Sequence, residues 1–351
     1  MEKIVIDRAG SYERLRLTSL ASPKPGEGEV RVRVAAIGVN YADCIVRMGL
    51  YSSAKVYVGW PITPGFEVSG VVDAIGAGAD PSLLGVKVVA LTRFGGYASE
   101  LVVPVHQVFR IPPELTLVQA AALPSVLLTA YFALFELAHP RPGSTILVHS
   151  AAGGVGSSLV QLAKIAKCRV IGVVGGSHKV AAVQALGADG VIDKSSEPLW
   201  AAAERHSPAG YDVICDANGV ETLAASYDHL APTGKLLIYG FHTMLPREGG
   251  RAKWLRLALA YLRTPRFNPL DLTQKNRSVM GFNLSYLFDR ADILGEAMTQ
   301  ILGWASGGEV VCPKITTYAL ADVADAHRAL ESAQTVGKLV LTTEHLCERP
   351  E

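Results

Sequence analysis

The stretch LVHSAAGGVGSSLVQLAK, residues 147–164, spaces Ala151, Gly153 and Gly156 as a G-x-G-x-x-G turn spaces its three glycines. In such a turn the second glycine admits a pyrophosphate to the backbone, the third lets helix and strand pack closely, and the helix N-terminus adds free N–H groups and a positive dipole end. Ala152, Gly153, Gly154 and Val155 are therefore candidate cofactor-binding residues, and alanine at 151 is expected to make the turn. Past the next strand-like run, VVGGSHK places Gly175, Gly176, Ser177 and Lys179 where an NAD site wants a carboxylate for the ribose. Space, a hydroxyl and a cation suit a 2′-phosphate instead. Lys194, in IDKSSE, offers a second charge, so NADPH is the expected cofactor.

The elements that must hold this turn follow from pattern. STILVHS, SSLVQLAKIAK, RVIGVVG, HKVAAVQALGA, GVIDK, YDVICDA and GKLLIYG alternate as strand and helix, which predicts a doubly wound parallel sheet. From EVRVRVAAIGVN to GVKVVALTRFGGYASELVVP, short β-rich runs broken by Gly and Pro predict a strand-dominated, barrel-like unit. The final EVVCPKITTYALADVADAHRALESAQTVGKLVLTT returns to strand, helix, strand and is expected to rejoin that first unit. The fold class is thus α/β, with residues 1–124 and 286–351 in one domain and 125–285 in the nucleotide-binding one.

Composition limits what such a pair of domains does. The 351 residues are 49% hydrophobic and 19% charged, enough to bury one or two sizeable cores. A net charge of +1 supplies no basic field for a nucleic acid, which leaves small molecules as the expected partners. No apolar run reaches signal-peptide or membrane-span length, so a soluble, cytoplasmic protein without an integral membrane segment is expected. The five cysteines, Cys44, Cys168, Cys215, Cys312 and Cys347, form no C-x-x-C pair and are expected as reduced thiols.

Taken in order, AIGVNYADCIVRMGLY, TPGFEVSGVV, GGYASELVVP, AAALPSVLLTAY, ILVHSAAGGVGSSLVQLAK and ALGADGVIDK resemble the zinc-free quinone oxidoreductase branch of the medium-chain dehydrogenase/reductase superfamily. YGFHTMLP and FNPLDLTQKNRSVMGFNLSYL are similar to its VAT-1-like members. The resemblance spans nearly the whole chain and implies a GroES-like catalytic domain around a central Rossmann domain. Zinc-dependent relatives carry G-H-E where this chain has GFE, and the phenyl ring of Phe66 ligates nothing. No His/Cys cluster has ligand spacing, so no metal is expected.

Without a Lewis acid the chemistry must suit hydride alone. The resemblance implies an NADPH-dependent reductase of quinones or α,β-unsaturated carbonyls, an enoyl reductase for a carrier-bound or specialised natural product, or an NADPH-binding adaptor with little turnover. It places Asn40 beside the nicotinamide and Thr129 near the diphosphate or carboxamide, with Asn218, Tyr239, Phe282 and Asn283 on segments completing that pocket. Tyr41 and Tyr51 line the substrate side with Phe66. Tyr41 is open to two roles: a phenol that protonates an enolate, as in similar enoyl reductases, or a wall packed on the cofactor. In REGGRAKWLRLALAYLRTPRF, Arg247, Arg251, Lys253, Arg256 and Arg263 accompany an apolar helical run, read either as a lid or as a surface for membranes or acidic partners. SVMGFNLSYL supplies an apolar strand edge, and relatives pair that edge across a two-fold axis, so a homodimer is expected.

Overall fold

The structure, a computed structural model, describes residues 1–245 and 249–346. Arg247 and Cys347, both singled out from the sequence, lie outside the described residues. The described chain divides into two compact units, one of residues 1–128, 249–251 and 284–346, the other of 129–245 and 252–283. The first change of unit comes after Leu128, within the helix that begins at Pro124 and ends at Tyr131, a few residues beyond the expected 124. The brief return at 249–251 has no counterpart in the sequence pattern.

The first unit is built on a seven-stranded sheet whose order runs Ile315–Ala319, Lys338–Thr342, Glu29–Val39, Glu67–Ile75, Lys87–Leu91 and Val108–Arg110, with Glu100–Pro104 also paired to Glu29–Val39. In EVRVRV the period-two alternation does its work: Val30, Val32 and Val34 are fully buried, while Arg31 turns outward to grip Asp73 through Nε and Nη2 at 2.9 and 3.1 Å. Past Val34 the strand is buried on every residue, where the Lys338–Thr342 strand from the far end of the chain pairs with it. That pairing returns the C-terminal part to the first unit.

The second unit holds a six-stranded parallel sheet in the order Gly190–Asp193, Arg169–Val174, Thr145–Val148, Tyr211–Asp216, Leu230–Ile238 and Ser278–Gly281. Strands covered on both faces read as unbroken apolar runs, and TILV and RVIGVV do so. The order reverses beside Thr145–Val148, and in open α/β sheets ligands bind past the carboxyl ends of the strands at that reversal. Of the apolar edge read in SVMGFNLSYL, only Ser278–Gly281 is strand, and it is an outer strand of the sheet. The basic apolar segment forms the helix Trp254–Arg263, in which no residue is buried; Leu255 and Leu262 are 84% and 76% exposed. No helix among the described residues is long and apolar enough to cross a membrane.

Candidate active site

The turn after Thr145–Val148 explains why its first glycine is dispensable. The left-handed residue is Ser150, with φ of 54°, so the strain falls one position before Ala151. Ala151 itself is fully buried. Gly156 has no such freedom: a Cβ there would lie 2.2 Å from the Ser150 carbonyl oxygen and 2.8 Å from the Ala151 Cα. Gly153 caps the helix Gly154–Ile165 in extended conformation and makes no side-chain cap hydrogen bond. The first-turn N–H groups of any helix lack intrahelical acceptors, which makes this end an anion cradle.

Two further strand ends border it. After Arg169–Val174, the Ser177 hydroxyl donates to Asp193 Oδ2 at 2.7 Å, so it meets a phosphate only by turning from that carboxylate. Asp193 is held in turn by the Ser195 hydroxyl at 2.6 Å. The Lys194 side chain passes Gly175, where an added Cβ would lie 3.7 Å from the lysine Cε. Lys179 is half-buried in the Ser177–Lys179 turn.

After Tyr211–Asp216, the buried Asp216 carboxylate accepts the N–H groups of Asn218 and Gly219 at 2.8 and 3.0 Å and the hydroxyls of Thr222 and Ser226 at 2.7 and 2.9 Å. This fixes the loop that carries Asn218, whose Oδ1 accepts the Ser150 hydroxyl at 3.0 Å. The structure thus ties the phosphate turn to one of the expected nicotinamide residues. Tyr239 follows Leu230–Ile238 and donates its N–H to the Asp216 carbonyl at 3.1 Å. Phe282 packs on Phe132 with ring centroids 5.0 Å apart. Asn283 and Thr129 are half-buried members of the same unit.

In the first unit, Asn40 caps the helix Tyr41–Arg47, and the backbone N–H of Asn40 donates to Asp43 Oδ2 at 2.8 Å. Burial pushes the Asp43 carboxyl up to about 7, against the opposing pull of the Asn40 and Gly65 N–H groups. The Asn40 amide is fixed separately. Its Nδ2 donates to Glu67 Oε1 at 2.8 Å, its Oδ1 accepts from Lys338 Nζ at 2.6 Å, and Lys338 Nζ also reaches Glu67 Oε1 at 2.7 Å. The second Glu67 oxygen accepts the Ser125 N–H at 2.7 Å. Tyr41 opens the helix and is half-buried. Tyr51, Phe66 and Phe94 form an aromatic cluster, with centroids 5.4–6.3 Å apart. A cavity of about 300 Å³ adjoins Tyr51, with Val46, Ala54, Trp60 and Ile62 in its wall.

Sequence reasoning missed Glu67, Lys338, Asp43 and Asp216. Their signal was available: each is a charge set in or beside an apolar run, as in GFEVSG and GKLVL, and a buried charge requires a partner.

Among the described residues the one group of side chains near enough to hold a metal is Cys44, His327 and Glu331. It does not fit one. Arg47 Nη2 donates to Glu331 Oε1 at 2.6 Å and Arg47 Nη1 to His327 Nδ1 at 2.9 Å, while Tyr12 takes the other Glu331 oxygen at 2.6 Å. A cation there would face the guanidinium. At position 66, where a zinc ligand would stand, the Phe66 ring is packed in the aromatic cluster.

A GroES-like sheet unit joined to a doubly wound unit with this turn defines a dehydrogenase/reductase of the medium-chain type, and the chain belongs to that superfamily. Residues 26–113 match the family described as alcohol dehydrogenase GroES-like domain, and residues 186–341 the family described as zinc-binding dehydrogenase. The chain is 34% identical over 98% of its length, and 70% of the relative's, to the synaptic vesicle membrane protein VAT-1 homolog of Danio rerio. It is 32% identical to prostaglandin reductase-3 of Bos taurus, covering 89% of this chain and 79% of that one. Among solved structures it is similar to the quinone oxidoreductase of Escherichia coli complexed with NADPH, with a TM-score of 0.84 and 26% identity over 97% of this chain and all of that one.

Proposed function

We propose that the protein is an NADPH-dependent reductase that delivers a hydride to a quinone or to the β-carbon of an α,β-unsaturated carbonyl, without a metal. The observation that carries this reading is the phosphate turn bordered by Gly175 and Lys194, a strand end with space and a cation where an NAD site wants a carboxylate. The chain's likeness to a quinone oxidoreductase and a prostaglandin reductase supports the same reaction class.

NADPH, when bound, supplies the hydride. The chain's own residues do the rest. The first-turn N–H groups after Gly153 receive the pyrophosphate, and Lys194 with Lys179 receives the 2′-phosphate. Asn218, Tyr239, Phe282, Asn283 and Thr129 serve the nicotinamide end. Asn40 donates to an oxygen that gains charge, and Tyr41 delivers a proton to the enolate left when the substrate is an enone. Tyr51 and Phe66 give the substrate an apolar, aromatic wall. The cytoplasm is the proposed location, and the outer strand Ser278–Gly281 is the proposed seam of a homodimer.

The test is NADPH consumption by the purified chain across a panel of quinones and enones, with NADH in parallel. Turnover with at least one class and a preference for NADPH supports the reading. Tight NADPH binding with no turnover on any member would favour an adaptor instead.

A further inference from the structure

We infer that Lys338 and Glu67 are positioning residues that lock the Asn40 amide in one orientation, so that Asn40 presents a ligand oxygen with a fixed Nδ2–H donor. The chemistry of the partners forces this. An ammonium has three donors and no acceptor, so the Asn40 atom 2.6 Å from Lys338 Nζ must be the amide oxygen. A carboxylate only accepts, so the Asn40 atom 2.8 Å from Glu67 Oε1 must be the amide nitrogen. Both partners are buried, their side chains 2% and 0% exposed, and bound to each other at 2.7 Å. Turning the amide over would set N–H against ammonium and oxygen against carboxylate at once.

The remaining capacity of Asn40 follows. Its oxygen is engaged and one Nδ2 hydrogen is directed to Glu67. Among the described residues the second Nδ2 hydrogen has no acceptor, and Asn40 is only half-buried. An N–H donor held in this way recognises a carbonyl oxygen, and its hydrogen bond strengthens as charge develops there. That oxygen belongs either to the reducible substrate or to the nicotinamide carboxamide. The identity of the ligand rests on the reduction proposed above; the orientation of the amide does not.

The pair is held from outside as well. Gly38 leaves room for Glu67, since a Cβ at that position would lie 2.2 Å from Glu67 Oε1 and 2.5 Å from the Ala121 carbonyl oxygen. Ser125 N–H holds the other carboxylate oxygen. Both Glu67 oxygens are thus engaged, one by Ser125 and the other by Asn40 and Lys338.

Heteronuclear NMR of the full chain tests the orientation without turnover, with the Asn40 side-chain pair assigned by its loss in Asn40→Asp. One Nδ2 proton should stand downfield under the Glu67 carboxylate, and the pair should move to ordinary amide positions in the double variant Glu67→Gln/Lys338→Met. The second proton should shift when NADP⁺ or cyclohexenone is added. A shift with NADP⁺ that its thionicotinamide analogue fails to produce assigns the oxygen to the carboxamide; a shift that requires cyclohexenone assigns it to the substrate. In kinetics, Lys338→Met should lower kcat/KM about tenfold or more. Lys338→Arg, which keeps charged donors toward both oxygens, should restore it to within about threefold. An Asn40 pair indifferent to the double variant, no shift with either ligand, or equal losses in Lys338→Met and Lys338→Arg would overturn the inference. If the parent enzyme reduces no quinone or enone, the proposed function fails while the NMR result still decides the orientation.

Discussion

At the scale of single residues, the first unit offers two groups with opposite roles. Asn40 is held by three partners with an Nδ2–H left to donate, whereas Tyr41, next in the chain, opens a helix and is the proposed proton donor. For an enone, Tyr41→Phe should lower kcat by about tenfold or more, within the usual range for a general acid, and leave NADPH affinity unchanged. For a quinone the product anion is a much weaker base, and the same change should alter kcat little; stopped assays on both substrates make the comparison. Lys194 and Lys179 are the proposed holders of the 2′-phosphate. Each charge-assisted contact is worth about 1.5–3 kcal/mol, so Lys194→Ala should weaken NADPH binding about ten- to a hundredfold, with NADH nearly unaffected. Lys194 lies over Gly175, and its loss should exceed that of Lys179→Ala in the same titration.

At the scale of elements, the turns and caps set where those residues stand. Gly156→Ala would drive a methyl into the Ser150 carbonyl and the Ala151 Cα, an overpacking of about 1–3 kcal/mol that must move the turn. Loss of NADPH binding together with a lowered Tm is the expected result by calorimetry. The helix Tyr41–Arg47 depends on Asp43, whose carboxyl burial raises from the ordinary 3.8 to about 7, facing the Asn40 and Gly65 N–H groups, the Tyr97 hydroxyl and Lys338. A folded value above the unfolded one means that the folded chain holds an extra proton between the two. Its stabilising contribution is full below the lower value and lost as pH rises through about 7. The fall in Tm from about pH 5 to about pH 8 should therefore be shallower in Asp43→Asn than in the parent. The phosphate turn and the strand alternation of EVRVRV were legible because their signals lie within a few residues. The Glu67–Lys338 pair spans 271 positions, and nothing local in GFEVSG announces GKLVL as its partner. Ser177 shows the reverse limit: its type suited a phosphate, but Asp193, sixteen residues on, receives its hydroxyl.

At the scale of the whole molecule, the alternation of strands and helices in the middle of the chain foretold the parallel sheet, the β-rich start foretold a strand-dominated unit, and the resemblance to a known family gave that unit its GroES-like class. The unit changes after Leu128, inside the helix Pro124–Tyr131, and an element boundary such as the one at Pro124 is what a sequence pattern marks. Phe66 in its aromatic cluster and a Cys44–His327–Glu331 group whose His327 and Glu331 already bind Arg47 leave no fitting metal ligands among the described residues, so turnover should survive exhaustive EDTA treatment. A requirement for added zinc would contradict that. The proposed chemistry is direct hydride transfer from NADPH to an electron-poor carbon. NADPH deuterated at the transferable position of the nicotinamide, with an enone substrate and the product mapped by mass spectrometry and NMR, tests it. Direct transfer gives a saturated ketone with one deuterium at the β-carbon. Deuterium at the carbonyl carbon of an allylic alcohol, or no deuterium transferred at all, would contradict it.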